Sequence, residues 1–133
     1  MRTAAVMLVI KDGLILGVSR RYDKTKFGLP GGKADPDETP REAAKRETFE
    51  ETGIRVGECQ FLLCRSEPKD RPEGEDFYTY CFFAVDWTGT AHNSEEGEVA
   101  WLTEAELTGP NGAFADYNRE TIKVYRTKFP TIK

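Results

Sequence analysis

The middle of the chain carries one helix whose two ends are both marked in the sequence. Thr39 is a favourable N-cap residue, Pro40 suits the first helical position, and Glu42 completes a capping box, T-P-R-E. Good helix formers follow in the run AAKRETFEET, and Gly53 is a natural stop. These signals predict a helix that begins after Thr39 and ends at Gly53, with the rest of the fold arranged around it.

Strand-like runs lie on both sides of this helix. Residues 3–10 (TAAVMLVI) are apolar on both faces, which predicts a central strand covered on each side. Asp12-Gly13 predicts a tight hairpin turn into the run LILGV, because both turn positions need positive φ. Residues 19–37 read as a loop. Further strands are predicted at about 54–65, at 76–87 and in EVAWL (98–102), and a closing helix over 113–127.

Strands before and after one mid-chain helix, with a second helix at the end, predict an α/β fold. We expect an α/β/α sandwich around a central mixed β-sheet. The 133 residues fit one domain, 1–133, and their 38% hydrophobic and 32% charged residues are ordinary values for a globular protein.

Charge and hydropathy limit the partners. No apolar run approaches the roughly 18–20 residues that cross a bilayer. The start, MRTAAVMLVIKDG, reads as a strand and not as a signal peptide, because it lacks a small-residue cleavage site. The net charge of −4 argues against a nucleic-acid duplex or a membrane as partner. A small polyanion remains compatible if divalent cations separate its phosphates from the protein's carboxylates.

The cysteines and the histidine predict no site of their own. Cys59, Cys64 and Cys81 contain no C-x-x-C pair and each falls in an apolar strand-like stretch, so we expect buried, reduced thiols in a cytoplasmic protein. His92 lies in a polar loop without a second histidine, and we expect it at the surface.

Three glutamates share one face of the mid-chain helix. Glu47, Glu50 and Glu51 stand at i, i+3 and i+4, so their Cβ atoms are expected about 5–6 Å apart. Such a cluster is either a solvated, salt-bridged face or a set of oxygen ligands for a hard divalent cation. The loop before the helix, Leu29-Pro-Gly-Gly-Lys33, favours the second interpretation, because paired glycines let backbone approach an ion or a phosphate closely.

Residues 32–54, GKADPDETPREAAKRETFEETGI, resemble the Nudix box, G-x5-E-x7-R-E-U-x-E-E-x-G-U, in which U is a bulky apolar residue. Eight of the nine fixed positions match: Gly32, Glu38, Arg46, Glu47, Glu50, Glu51, Gly53 and Ile54. Thr48 stands where an apolar residue is usual, which affects packing more than chemistry. The lead-in FGLPGG is also similar to the family, with Phe27 where tryptophan is common.

The resemblance implies a Nudix-type sandwich and a pyrophosphohydrolase that uses Mg²⁺ or Mn²⁺. Glu47, Glu50 and Glu51 would be metal ligands or, for one of them, the general base. The carbonyl of Gly31 would be a further ligand. A late-loop acid would join them, Glu95 or Glu96 in preference to Glu98.

Other roles are expected around this centre. Arg46 would orient a glutamate of the helix or Glu38, while Arg20, Arg21 and Lys33 are the basic residues nearest the presumed phosphates. Base stacking is predicted for Phe27 or for Tyr80, whose neighbours Tyr78 and Phe82 share its strand face. Core packing is the alternative for all three of these strand residues.

The sequence constrains the identity of the substrate less than it constrains the site residues. A nucleoside triphosphate is the leading class, followed by ADP-ribose or another nucleotide conjugate, to which the position of Pro68 gives a weak hint. A non-hydrolysing nucleotide sensor is a different class of function, although sensors usually lose a metal-binding glutamate and none is lost here. A purely structural domain is a third. Monomer and homodimer both remain open, with residues 76–87 as a candidate edge strand for pairing.

Overall fold

The computed structural model describes residues 2–21, 23–66 and 77–130, so Pro68 lies outside the described residues. The elements in chain order are β1 (Arg2–Leu8), β2 (Ile10–Lys11), β3 (Leu14–Ser19), β4 (Phe27–Gly28), β5 (Gly31–Lys33), α1 (Pro40–Thr52), β6 (Arg55–Val56), β7 (Cys59–Ser66), β8 (Phe77–Ala84), β9 (Trp87–Thr88), β10 (Val99–Leu102), α2 (Glu104–Thr108) and α3 (Ala115–Lys128).

A four-stranded mixed sheet in the order β5-β1-β8-β7 forms the centre of the fold. Strand β1 pairs in parallel with β8 and antiparallel with β5, while β7 pairs antiparallel with β8. The prediction of a central first strand and a mixed sheet is therefore confirmed. Strand β8 lies between two others, so the edge strand on this side is β7, and the expectation of an edge at 76–87 is wrong.

A second sheet holds the β2–β3 hairpin and β10. Strand β3 pairs with β2, β10 and β4, all antiparallel. Asp12 and Gly13 both have positive φ, 52° and 81°, as the hairpin turn requires. The predicted strand 54–65 is divided at Gly57 and Glu58 into β6 and β7, and the short β6 pairs with β9.

Helices cover both faces of the mixed sheet. Ala43 and Ala44 of α1 pack with Ala5 and Met7 of β1 on one face. On the other face, Tyr117 and Ile122 of α3 pack with Leu8, Leu63 and Cys81. Alternate residues of β1 therefore enter two separate cores, which explains why the strand is apolar on both faces from Ala4 to Leu8. The α/β/α arrangement is the one predicted.

Helix α1 has the predicted ends. Thr39 accepts the N–H of Glu42 and Glu42 accepts the N–H of Thr39, and Gly53 ends the helix in the left-handed conformation with φ 83°. Helix α3 begins at Ala115, two residues later than predicted, after Phe114 in the left-handed conformation. The short α2, capped by Thr103 and Glu106, was not predicted.

The cysteines follow the prediction with one exception. All three are free, and Cys59 and Cys81 are buried, but Cys64 is exposed on the edge strand β7. His92 is exposed, as predicted. Across the described residues, no helix has the length and apolar character needed to span a bilayer.

Candidate active site

Three carboxylates meet beside the mixed sheet. One oxygen from each of Glu47, Glu51 and Glu96 lies within 4.8 Å of the others. Glu47 and Glu51 are one helical turn apart on α1, and Glu96 comes from the loop between β9 and β10. Glu51 is the most enclosed of the three. These three side chains are defined here as the carboxylate cluster.

The electrostatics of the cluster disfavour three full negative charges. Burial raises the pKa of Glu51 to about 8; the backbone N–H of Gly31 opposes this shift and the charges of Glu47 and Glu96 add to it. That N–H donates to Glu51 Oε1 at 3.0 Å. Burial also raises the pKa of Glu47, against the opposing charge of Arg46. A divalent cation would relieve this repulsion, and oxygen ligands at this spacing suit Mg²⁺ or Mn²⁺.

Arg46 holds the glutamates around it. Its Nε donates to Glu38 Oε2 at 2.6 Å and its Nη2 to Glu38 Oε1 at 2.9 Å, a bidentate pair. This hydrogen bonding lowers the pKa of Glu38 to about 2. Arg46 Nη1 also lies 3.2 Å from Glu47 and 3.1 Å from Glu50. Glu50 is thereby held at the exposed side of the cluster and is not one of its three members.

A tight turn positions Glu96. Ser94 and Gly97 exchange backbone hydrogen bonds across it, and the hydroxyl of Ser94 accepts the N–H of Glu96 at 3.1 Å. The turn is fastened to β3, because the N–H of Ser19 donates to the carbonyl of Glu98 at 2.8 Å. Glu95 and Glu98 are exposed and lie outside the cluster.

The paired glycines allow the backbone to pass between β1 and α1. A Cβ on Gly31 would lie 2.2 Å from the carbonyl oxygen of Ala5, and its φ is +155°. A Cβ on Gly32 would lie 2.7 Å from the carboxylate of Glu47. Gly31 has no room for a side chain, because the backbone of β1 lies too close, whereas a side chain at Gly32 would displace the carboxylate of Glu47. The N–H of Gly31 donates to Glu51, and the role of its carbonyl as a metal ligand stays a prediction.

Two adjoining cavities open beside the cluster and share Arg20, Leu29 and Gly31. The smaller, of about 190 Å³, contains two cluster glutamates and two arginines: Val18, Ser19, Arg20, Arg21, Leu29, Gly31, Glu51 and Glu96 line it. The larger, of about 230 Å³, lies between the mixed sheet and α3: Ala4, Val6, Arg20, Gly28, Leu29, Gly31, Gly32, Lys33, Thr79, Phe114, Tyr117 and Asn118 line it. Positive and negative groups thus meet in the first cavity, and apolar and amide groups in the second.

The structure separates the residues predicted for base stacking from these cavities. Phe27 is half-buried and packs in the core beneath α3. Tyr80 lies on the α1 side of the sheet, with its ring centroid 6.2 Å from that of Phe61. Its neighbour Thr79 lines the larger cavity together with Phe114 and Asn118, and none of these three is among the site residues that the sequence predicts. The alternation of side chains along a strand predicts that Thr79 and Tyr80 point to opposite faces of the sheet. The cavity lies on the face of Thr79 because α3 packs on that side.

Comparison with known proteins matches the chain to one family model and to pyrophosphohydrolases of other organisms. A family model described as NUDIX domain matches residues 1–125. The chain is 44% identical over 129 residues to an RNA pyrophosphohydrolase of Erythrobacter litoralis. The match covers 78% of this chain and 76% of that protein. It is 28% identical over 102 residues to a CTP pyrophosphohydrolase of Escherichia coli, which covers 74% and 73%. A shorter match, 46% identical over 54 residues, spans 34% of a MutT-like protein of Streptomyces ambofaciens.

The fold is also found among solved structures. The solution structure of the Escherichia coli ORF135 protein superposes with a TM-score of 0.80 at 24% identity, covering 99% of this chain and 95% of that one. At this level of identity the likeness concerns the fold.

Proposed function

The chain belongs to the Nudix hydrolase family, and we propose that it hydrolyses a phosphoanhydride bond of a nucleoside triphosphate or another nucleoside diphosphate derivative with the help of Mg²⁺ or Mn²⁺. The observation that carries the proposal is the carboxylate cluster, in which oxygens of Glu47, Glu51 and Glu96 lie within 4.8 Å of one another. The cluster opens directly into a cavity that also holds Arg20 and Arg21.

The residues of the cluster fit a divalent cation. They supply hard oxygen ligands, and burial together with the negative charges of Glu47 and Glu96 raises the pKa of Glu51. When bound, the metal would neutralise phosphate oxygens and lower the pKa of a water molecule. Glu50 remains a predicted ligand or base. It precedes Glu51 on α1, and Arg46 binds its carboxylate.

The chain's other residues would bind and orient the substrate. Arg20 and Arg21 line the same cavity as Glu51 and would bind the phosphates, with Lys33 at the neighbouring cavity. Arg46 fixes the rotamers of Glu38, Glu47 and Glu50 through its three donor nitrogens. Positioning of this kind is the main contribution that a protein makes to phosphoryl transfer.

The larger cavity supports a nucleoside as the group next to the phosphates. It adjoins the phosphate cavity through Arg20 and is bordered by the ring of Phe114 and by the buried Asn118. Two relatives of this chain are named as pyrophosphohydrolases of CTP and of RNA, which also supports a nucleotide substrate. A nucleoside triphosphate remains the first candidate, and ADP-ribose or another nucleotide conjugate the second.

A product analysis tests the proposal. The protein would be incubated with a panel of nucleoside triphosphates and nucleotide conjugates, with Mg²⁺ or with a chelator, and the products separated by chromatography. We expect cleavage only with metal, and a loss of about a hundredfold or more in the Glu51→Gln variant. Binding of nucleotides without any product across the panel would instead support a sensor. Absence of both binding and a metal-dependent rise in the melting temperature would support a structural domain.

A further inference from the structure

Arg20 lies where the two cavities of the candidate site adjoin, and its guanidinium lies over the ring of Phe114. The guanidinium carbon is 4.9 Å from the ring centroid, within the roughly 6 Å over which a cation and an aromatic face attract each other. Arg20 lines both cavities, whereas Phe114 lines the larger one. The ring that borders the larger cavity therefore contacts a side chain that also lines the smaller one.

The backbone fixes the ring of Phe114 at this junction. Phe114 has φ 59° and ψ 49°, the left-handed conformation that a bulky side chain rarely adopts. The N–H of Ala113 donates to the carbonyl of Phe27 at 2.8 Å, and the carbonyl of Phe114 accepts the N–H of Asn118 at 2.9 Å. The side-chain amide of Asn118 also donates to the carbonyl of Ala113 at 2.8 Å. Backbone strain persists only where the surrounding structure fixes it in this way, and such residues cluster at active sites.

The backbone of Arg20 is joined to the same segment. Its N–H donates to the carbonyl of Lys26 at 2.8 Å, and the N–H of the next residue, Phe27, donates to the carbonyl of Asn111 at 3.0 Å. Hydrogen bonds thus connect the hairpin that carries Arg20 to the segment that carries Phe114. The long side chain of an arginine has many rotamers, and a fixed ring on which the planar guanidinium stacks reduces their number.

We propose that Phe114 is a positioning residue for Arg20: its ring holds the guanidinium at the junction of the two cavities, where the phosphates of a bound nucleotide would meet its nucleoside. The inference rests on the proposed function and deepens it, because it assigns the orientation of a phosphate ligand to a residue from the far end of the chain. Phe114 would act through Arg20 and not through the base.

A double-mutant cycle on binding tests the pair. Kd is measured with Mg²⁺ for a nucleoside triphosphate and for inorganic tripolyphosphate, which has no base, in a Glu51→Gln background that slows hydrolysis. Phe114→Leu keeps an apolar side chain and the left-handed strain but removes the aromatic face. We expect it to weaken binding of both ligands about fivefold, the size of one lost cation–π contact, and to have no further effect once Arg20→Ala is present.

Two further variants complete the cycle. Phe114→Tyr keeps the ring and should restore binding of both ligands. Phe49→Leu is the matched control, because the guanidinium of Arg55 lies over the ring of Phe49 in the same kind of contact, 4.2 Å from its centroid, on α1 and outside both cavities. This variant should change neither Kd value.

The KM and kcat of the active protein distinguish positioning from a loss of folded protein. Phe114→Leu should raise KM for the triphosphate about fivefold and change kcat less, whereas a smaller folded fraction lowers the apparent kcat and leaves KM unchanged. The second pattern would overturn the positioning role.

The binding cycle also distinguishes this role from base stacking. If Phe114→Leu weakens binding of the triphosphate but not of tripolyphosphate, and does so equally with Arg20→Ala present, the ring stacks on the base and the proposal fails. Unchanged binding of both ligands would overturn it as well.

The binding cycle needs no turnover, so it separates the positioning role from the proposed function. If wild-type protein binds nucleotides but cleaves none, the proposed function fails, while coupling between Phe114 and Arg20 still supports the pair. Additive effects of the two substitutions would overturn the pair even in an active enzyme.

Discussion

The hydroxyl of Ser19 accepts the backbone N–H of Glu98 at 2.9 Å, although the two residues are 79 positions apart. Ser19 is buried at the end of β3, and the next residue, Arg20, lines both cavities. Gly97 packs so closely that a Cβ there would lie 2.7 Å from the carbonyl oxygen of Ser19. This contact therefore holds a predicted metal ligand, Glu96, and a predicted phosphate ligand in one relative position.

Replacing Ser19 with alanine should loosen the turn that carries Glu96. One buried hydrogen bond would be lost, which costs about 1 kcal/mol of folding free energy and leaves the fold intact. Because the cluster would be less well ordered, we expect the Mg²⁺ concentration for half-maximal activity to rise about tenfold, with kcat at saturating Mg²⁺ changed less. A Mg²⁺ titration of activity measures both. An unchanged Mg²⁺ dependence would contradict this positioning role.

Glu95 and Glu96 form a matched pair for testing the cluster. Glu96→Gln removes a charge from the cluster, whereas Glu95→Gln alters an exposed neighbour on the same turn. We expect Glu96→Gln to weaken Mg²⁺ binding by roughly 10–100-fold and Glu95→Gln to leave it near wild type. Metal titration followed by calorimetry would distinguish them. The opposite order would show that the sequence alternative, Glu95, is the ligand.

The raised pKa of Glu51 predicts how the metal-free protein responds to pH. The folded state holds a proton on Glu51 up to about pH 8, whereas the unfolded chain releases it near pH 4.5. Between these values the folded state binds more protons, so stability falls as pH rises, by at most about 1.4 kcal/mol per pH unit. Thermal melts in chelator should show this decline, and Glu51→Gln should reduce it. A melting temperature that rises over the same interval in wild type but not in the variant would contradict the assignment.

Mg²⁺ should reverse this pH dependence. The metal binds the ionised form, so its apparent affinity should increase from pH 6 to pH 8.5 as the proton on Glu51 is displaced. The rise in melting temperature on adding Mg²⁺ should therefore be larger at the higher pH. Equal shifts at both values would indicate that Glu51 is already ionised without metal.

Two buried threonines of α1 should respond oppositely to the same substitution. Thr48 is fully buried, and its hydroxyl has no hydrogen-bond partner among the described residues. Thr52 is equally buried, but its hydroxyl donates to the carbonyl of Thr48 at 2.7 Å and accepts the N–H of Ile54 at 3.1 Å. We expect Thr48→Val to raise the free energy of unfolding by about 1 kcal/mol and Thr52→Val to lower it by about 1–2 kcal/mol. Urea denaturation measures both, and destabilisation by Thr48→Val would refute the unpartnered hydroxyl.

Local signals in the sequence are sufficient to predict where the central helix α1 begins and ends. Thr39, Glu42 and Gly53 act on backbone groups within a few residues, and the structure shows each in its predicted role. A similar capping box is present at Thr103 and Glu106, but the helix that it starts is only five residues long, too short to show a helical repeat of apolar residues.

Relations across the chain were not predictable from spacing. The sequence favours Glu95 or Glu96 over Glu98 without deciding between the first two, and the bonds between Ser19 and Glu98 and within the Ser94–Gly97 turn bring Glu96 to α1. Glu50 matches the same motif as Glu51, but Arg46 binds it at the exposed side. The motif therefore specified the acidic helix face, and tertiary contacts decided which carboxylates converge.

The parallel pairing of β1 with β8 also affects how the chain folds. Arg2 is in register with Phe77 and Leu8 with Phe83. Strand β1 can therefore pair with β8 only after some 75 further residues have been synthesised. Until then, one edge of this largely apolar strand has no partner for its backbone hydrogen bonds. Contacts this distant slow folding and leave an aggregation-prone edge open during synthesis.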